Sequence, residues 1–145
     1  DQKKYSFPLQ VYLLNERFKQ QQQIVWQGKG GVQDRTIYED SVFAKMLRDS
    51  NLMDARDYDT YVSLFTNMSK FMGKPNVIVH LDVSPEESLR RIKSRSRGME
   101  VAITLEYLQA LYKAYNEFIE DISRVIPVIR VDYSRFRTAE EMAPV

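Results

Sequence analysis

Residues 76–107 read NVIVHLDVSPEESLRRIKSRSRGMEVAITLEY, and the order of signals within them decides the fold. The apolar run Val77, Ile78, Val79 and Leu81 reads as a buried strand that ends at Asp82. Ser84-Pro85-Glu86-Glu87 is a helix start: a hydroxyl to cap, a proline in the first turn, and acids at the positive end of the helix dipole. The helix turns Leu89 and Ile92 inward and carries Arg90, Arg91, Lys93, Arg95 and Arg97. Arg91 and Arg95 are four apart and project from one face. Gly98 is expected to break the helix, and Thr104 to cap a second, long one. A strand, a short helix and a cationic elbow suit a polyanion, with phosphate the first candidate.

The totals narrow the setting. The 145 residues, 43% of them apolar, suit one domain with a core. The net charge of +1 makes the arginine cluster a local concentration, unlike the broadly basic face of a nucleic-acid binder. The absence of cysteine excludes disulfides and cysteine-based metal or nucleophile sites, and a lone histidine, His80, excludes a histidine-cluster zinc site. No apolar run approaches the roughly 20 residues of a membrane span, and no signal peptide opens the chain. A cytoplasmic protein is expected, or a mitochondrial one if a targeting peptide precedes residue 1.

Working outward, residues 6–23 have helical spacing, with Leu9, Tyr12, Leu13 and Phe18 as the apolar stripe, Ser6 as cap and Pro8 in the first turn. Gln10 and Arg17, seven apart, share a face, and Gln20 to Gln23 reads as a solvated helix end. Gly28-Lys29-Gly30-Gly31 fits no P-loop pattern and reads as a flexible turn. Residues 32–35 read as a strand whose C-terminal edge carries Asp34-Arg35-Thr36, the position where open α/β sheets bind ligands. Residues 37–49 form a helix. Asp54 is expected to cap another, running to about residue 71, with Tyr58, Tyr61, Leu64, Phe65 and Met68 as core. Leu105 to Ile122 is the clearest amphipathic stretch, and residues 127–131 form a last buried strand. Strands alternating with helices predict an α/β fold, a parallel sheet covered by helices on both faces.

Three motifs in order resemble those of the deoxynucleoside kinases. Asp34-Arg35-Thr36-Ile37-Tyr38-Glu39-Asp40 with Phe43-Ala44 is similar to their [ED]-R-[ST] motif. Arg91, Arg95 and Arg97 with Glu100 and Leu105-Glu106-Tyr107-Leu108 resemble their lid, here about residues 91–103. Leu9-Gln10 with Arg17 resembles the base-binding helix. The Asp34 form of the motif looks most like the deoxyadenosine/deoxyguanosine kinase branch. The resemblance implies a P-loop kinase-like fold and ATP-dependent phosphorylation of a deoxynucleoside 5′-hydroxyl, with a purine as base, and a homodimer. The modest net charge and the lack of a long apolar run lead us to expect no nucleic-acid or membrane partner.

Roles carry over by residue. Leu9 and Gln10 would meet the base, Arg17 and Asp40 would form the charged pair beside it, and Phe43 would wall it. Arg35 would hold the 5′ oxygen and the incoming phosphoryl group, with Asp34 near Mg2+. Arg91, Arg95 and Arg97 would clamp the ATP phosphates, and Glu100 would bind the sugar 3′-hydroxyl.

The family also carries a P-loop strand and a second strand bearing the catalytic carboxylate, and neither pattern is found here. The chain therefore reads as the C-terminal two-thirds of a single kinase domain, residues 1–145, inactive by itself. Rival expectations are a thymidylate-type nucleoside monophosphate kinase and a non-catalytic kinase-like structural subunit. His80, Glu86, Glu87, Tyr107 and Tyr112 are read as structural or surface residues.

Overall fold

A computed structural model describes residues 2–95 and 102–144. The chain divides into two compact units, Asp1–Lys74 and Pro75–Val145.

The first unit is three helices: α1 (Gln2–Gln27), α2 (Ile37–Asp49) and α3 (Ala55–Ser69). Leu14, Ile37, Ala44 and Tyr61 are buried together, with Phe7, Phe18, Tyr38, Phe65 and Met68 packed around them. The start of α1 differs from the sequence expectation. The helix begins four residues before Ser6, whose Oγ donates back to the Gln2 carbonyl at 2.7 Å rather than capping. Pro8 is therefore inside the helix, where it cannot donate to the carbonyl four residues back.

The buried face of α1 also differs. It is Ser6, Gln10, Leu14 and Gln21, while Leu9 and Tyr12 are more than half exposed. Apolar residues occupy every side of the helix between Tyr5 and Leu14, so spacing alone does not select the inner face. Gln21 is no solvated helix end: its Nε2 donates to the Gly73 carbonyl at 3.0 Å.

The turn after α1 is as expected, with Gly28 and Gly30 both in the left-handed region. Residues 32–35, however, form no strand, and Val32 is fully exposed. A strand is stabilised by its neighbours, and the first unit contains no other strand among its described residues. Helix α2 begins immediately afterwards. Thr36 accepts from the Tyr38 amide and Glu39 reaches back to the Thr36 amide, a reciprocal cap. Asp54 sits at the start of α3 but makes no capping bond; its carboxylate pairs with Lys3 at 3.0 Å instead.

The second unit runs β1 (Ile78–Asp82), α4 (Pro85–Arg95), α5 (Leu105–Ile122), β2 (Val128–Asp132) and α6 (Ala139–Met142). The strands are parallel, in register from Ile78 against Val128 to Asp82 against Asp132. Both long-helix starts follow the sequence signals: Ser84 Oγ accepts from Glu87 N, and Thr104 Oγ1 from Tyr107 N, each at 3.2 Å.

Ile78, Ile119 and Ile126 form the core, with Phe118, Ile122 and Val128 against them. His80 stacks on Tyr115 with ring centroids 6.4 Å apart, a packing role as expected. Thus α5 covers one face of the strand pair. Val79, Leu81 and Ile129 alternate onto the other face and stay about half exposed within this unit, so the apolar run is less buried there than its composition suggests. Gly98, expected to end the first of these helices, lies outside the described residues.

The reciprocal cap at the start of α2 is testable. Thr36→Ala should lower the stability of the folded chain by about 1 kcal/mol in denaturant titrations, since it strands the Tyr38 amide that the hydroxyl now satisfies and removes the hydroxyl's own bond to Glu39.

Candidate functional site

Three helices of the first unit place polar side chains inside an apolar core. Gln10, one turn before Leu14 on the inner face of α1, is 6% exposed, and its Oε1 has no hydrogen-bond partner. Asp40, one turn before Ala44 on α2, is 3% exposed, and its Oδ2 is likewise unpartnered. The Nε of Arg17 lies 3.9 Å from that oxygen, close enough for an ion pair but too long for a hydrogen bond. Burial pushes the Asp40 carboxyl above its ordinary range, although Arg17 and Arg35 both pull it down. Tyr61, expected only as core, brings a third such atom: its hydroxyl is buried and unpartnered. Burial, then the charge of Asp40, pushes the Tyr61 phenol up. Leaving a buried acceptor without a donor costs on the order of 1–3 kcal/mol, so this cluster suits a ligand that brings donors of its own.

Asp34, Arg35 and Thr36 form a sharp turn beside this cluster. Arg35 adopts φ +63°, a left-handed conformation unusual for a residue with a side chain, and its guanidinium lies 5.0 Å from the centre of the Phe43 ring. Arg17 Nη1 donates to the Asp34 carbonyl at 3.0 Å, and Gln33 Nε2 donates to the Arg17 carbonyl at 3.3 Å. The Asp34 side chain is exposed.

A cleft of about 410 Å3 opens alongside, lined by Arg17, Gln20, Ile24, Gln33 and Asp34 among others. Gln10, Arg35 and Asp40 lie outside its lining, and its walls are largely neutral glutamine. Arg17 and Arg35 both bear on the buried Asp40 charge, and Gln10 is buried on the inner face of α1. Leu9 is half exposed and takes no part in the core cluster.

In the second unit the basic helix α4 is tightly organised. Glu87 accepts from Arg90 through two bonds and from Arg91 Nε, all at 2.7 Å. Arg91 also donates through Nη2 to the Tyr133 and Ser134 carbonyls, at 2.7 and 3.2 Å, and lies over the Tyr133 ring at 5.0 Å. Glu87 is therefore the anchor of two arginines, not a loose surface charge. Its positions three and four residues before Arg90 and Arg91 were the available signal. Those bonds pull the Glu87 carboxyl down to about 2. Arg95 is exposed at the helix end, whereas Arg97 and Glu100 lie outside the described residues. No group of three or more His, Cys, Asp or Glu side chains that could hold a metal ion is found among the described residues.

The family model for deoxynucleoside kinases matches residues 1–143. The chain belongs to the deoxynucleoside kinase family. It is 65% identical over 143 residues to a deoxyadenosine kinase of Dictyostelium discoideum, which covers 99% of this chain and 58% of that protein. It is 40% identical over 134 residues to the deoxyadenosine/deoxycytidine kinase of Bacillus subtilis, covering 90% and 61%. Among solved structures, deoxyadenosine kinase from M. mycoides with dCMP and dCDP bound superposes with a TM-score of 0.81 at 35% identity, over 91% of this chain and 67% of that one. The chain spans about three fifths of the length of the curated relatives it matches. The α/β fold with its small parallel sheet is that of this kinase family. No described helix is long and apolar enough to cross a membrane.

The Glu87 anchor has a pH signature. Its carboxyl is held at about 2 in the folded chain against an ordinary 4.5, so its stabilisation is present above about 4.5 and is lost as pH falls towards about 2. Glu87→Gln should lower the melting temperature at pH 7, and the gap to the parent should close as the melts are repeated down to pH 2.

Proposed function

We propose that the chain is the base-binding and lid portion of an ATP-dependent kinase that phosphorylates the 5′-hydroxyl of a purine deoxynucleoside, deoxyadenosine foremost. The observation that carries this is the pair of buried, unpartnered acceptors, Gln10 Oε1 and Asp40 Oδ2. Adenine offers an amino group as donor beside ring-nitrogen acceptors, and a glutamine amide can both accept and donate. The donor-bearing edge of adenine matches buried acceptors. Thymine, which presents carbonyl oxygens on either side of one N–H, would set acceptor against acceptor. The D. discoideum relative named a deoxyadenosine kinase supports the same choice, whereas the M. mycoides enzyme also holds dCMP, whose base likewise carries an amino donor.

Arg17 and Asp40 then form the charged pair at the base, with Leu9 and Phe43 as walls. Arg35 receives the 5′ oxygen and the phosphoryl group, a task for a planar, always charged guanidinium. Arg91, Arg95 and Arg97 bind the ATP phosphates, and Glu100 binds the sugar 3′-hydroxyl. Catalysis in this chemistry is positioning and charge neutralisation, and Arg91, held by Glu87 and two carbonyls, presents its charge from a fixed place. The exposed Asp34 carboxylate fits a Mg2+ ion that arrives with the nucleotide, since such ions take one or two carboxylates and keep phosphate and water as other ligands. The metal would supply neutralisation of phosphate charge. Residues 1–145 act in this reading as parts of one kinase domain. Exposed Tyr5 and Tyr12 on α1 and Val62 and Leu64 on α3 support a homodimer.

The deciding assay is ATP-dependent phosphorylation of the four common deoxynucleosides by the full-length protein. Turnover of deoxyadenosine above the pyrimidines is expected, and a folded protein inactive on all four would defeat the proposal. Arg17→Met combined with Asp40→Ala should move the kcat/KM ratio from purine toward thymidine; an unmoved ratio would remove these two residues from the base pocket. Arg95→Ala should cut kcat at least tenfold with nucleoside affinity nearly unchanged, and lost nucleoside affinity with kcat retained would rule out the phosphate role.

A further inference from the structure

Arg35 needs an explanation for its backbone. A left-handed conformation costs a residue with a side chain roughly 1–2 kcal/mol, and it persists where the surroundings determine it. On the C-terminal side the surroundings are clear: Thr36 is locked into the start of α2 by its reciprocal cap with Glu39. On the N-terminal side residues 32–34 belong to no strand, Val32 is fully exposed, and the cap cannot reach them.

What holds that side is α1. Gln33 Nε2 reaches the Arg17 carbonyl at 3.3 Å and Gln20 Oε1 at 3.4 Å, and Arg17 Nη1 donates to the Asp34 carbonyl at 3.0 Å. The last bond has particular leverage. The Asp34 carbonyl lies in the same peptide plane as the Arg35 nitrogen, so fixing that oxygen fixes the plane from which the φ of Arg35 is measured. The same guanidinium faces Asp40 through its Nε.

We propose that Arg17 is a positioning residue for Arg35: one guanidinium meets the base beside Asp40 and also, through the Asp34 carbonyl, holds the turn that aims Arg35 at the 5′ oxygen. This rests on the roles proposed above for the base pocket and for Arg35. A base that seats correctly leaves the Arg17 bridge in place. A base that draws the guanidinium away loosens the Asp34-Arg35 turn. Selectivity is then expressed in kcat as well as in KM, because an interaction needed only for transfer is lost along with one needed for binding.

The test uses the full-length protein with Arg17→Met and Arg17→Lys, assayed on deoxyadenosine and on thymidine at saturating ATP. Arg17→Met is expected to lower kcat about tenfold on deoxyadenosine, which corresponds to about 1.4 kcal/mol, and by less on thymidine, whose base already draws the guanidinium from the Asp34 carbonyl. Arg17→Lys, able to give the Asp34 carbonyl a single bond, should recover part of kcat without restoring KM for deoxyadenosine. A change confined to KM for deoxyadenosine, with kcat intact on both nucleosides, would overturn the proposal.

A second readout needs no turnover: the backbone amide resonance of Arg35 in the nucleoside-free protein. It should move in Arg17→Met, and an unmoved resonance would overturn the proposal equally. If the parent protein phosphorylates neither nucleoside, the functional reading fails on its own, and the Arg35 resonance still decides the role of Arg17.

Discussion

The first unit depends on keeping a carboxylate dry. Asp40 is 3% exposed inside a three-helix core, with its nearest cation 3.9 Å away and one oxygen unpartnered. Gln10 and Tyr61 add two more buried polar atoms in the same state. An interior of Leu14, Ile37 and Ala44 would gain stability if apolar groups replaced them, since unsatisfied acceptors in low dielectric are among the costlier things a fold can hold. The neighbouring features limit that cost. Arg17 and Arg35 both bear on the Asp40 charge, the cap at Thr36 fixes the helix that carries Asp40, and the left-handed turn keeps Arg35 beside it. Three buried unpartnered atoms lie within this three-helix core, with a strained residue at the turn that starts α2, as occurs where a fold keeps a site ready for something it does not itself contain.

The second unit follows the opposite logic. Its cationic helix has few loose ends: Glu87 serves Arg90 and Arg91 together, and Arg91 is committed to a carboxylate, two carbonyls and an aromatic face. A guanidinium that is already ordered loses little entropy on meeting a phosphate, so its conformational freedom is surrendered on folding rather than on binding.

What could be read from the sequence tracks how local each signal is. The starts of α4 and α5 were legible because Ser84-Pro85 and Thr104 act within one turn of themselves. Glu87 carried an equally local signal, but charge runs on helices are usually solvated. The strand expected at residues 32–35 failed because strand identity is supplied by neighbours, and no described strand in that unit is there to supply it. The inner face of α1 failed for a related reason: with apolar side chains all round, helix packing chooses the face. The burial of Gln21 depends on a carbonyl 52 residues away. At the site, the shared face of Gln10 and Arg17 was visible in their spacing and Arg35 in its place at an expected strand edge, whereas Asp40 was visible only through resemblance to a known motif. Nothing local distinguished Tyr61 from the aromatic residues around it.

The parallel pairing of β1 with β2 bears on the order in which the chain is assembled. Each residue of β1 meets a partner 50 positions further along, with α4 and α5 lying between. Closing a loop of that length carries an entropic cost of roughly 3.5 kcal/mol beyond a constant, and it must be met before the first ladder bond forms. The first unit carries closures of the same length, since Lys3 pairs with Asp54 and Gln21 bonds the Gly73 carbonyl 52 positions on. The two units therefore meet a similar closure cost rather than dividing into a fast half and a slow one. The strand pair in turn requires the segment carrying α4 and α5 to return to β1 before any ladder bond can form.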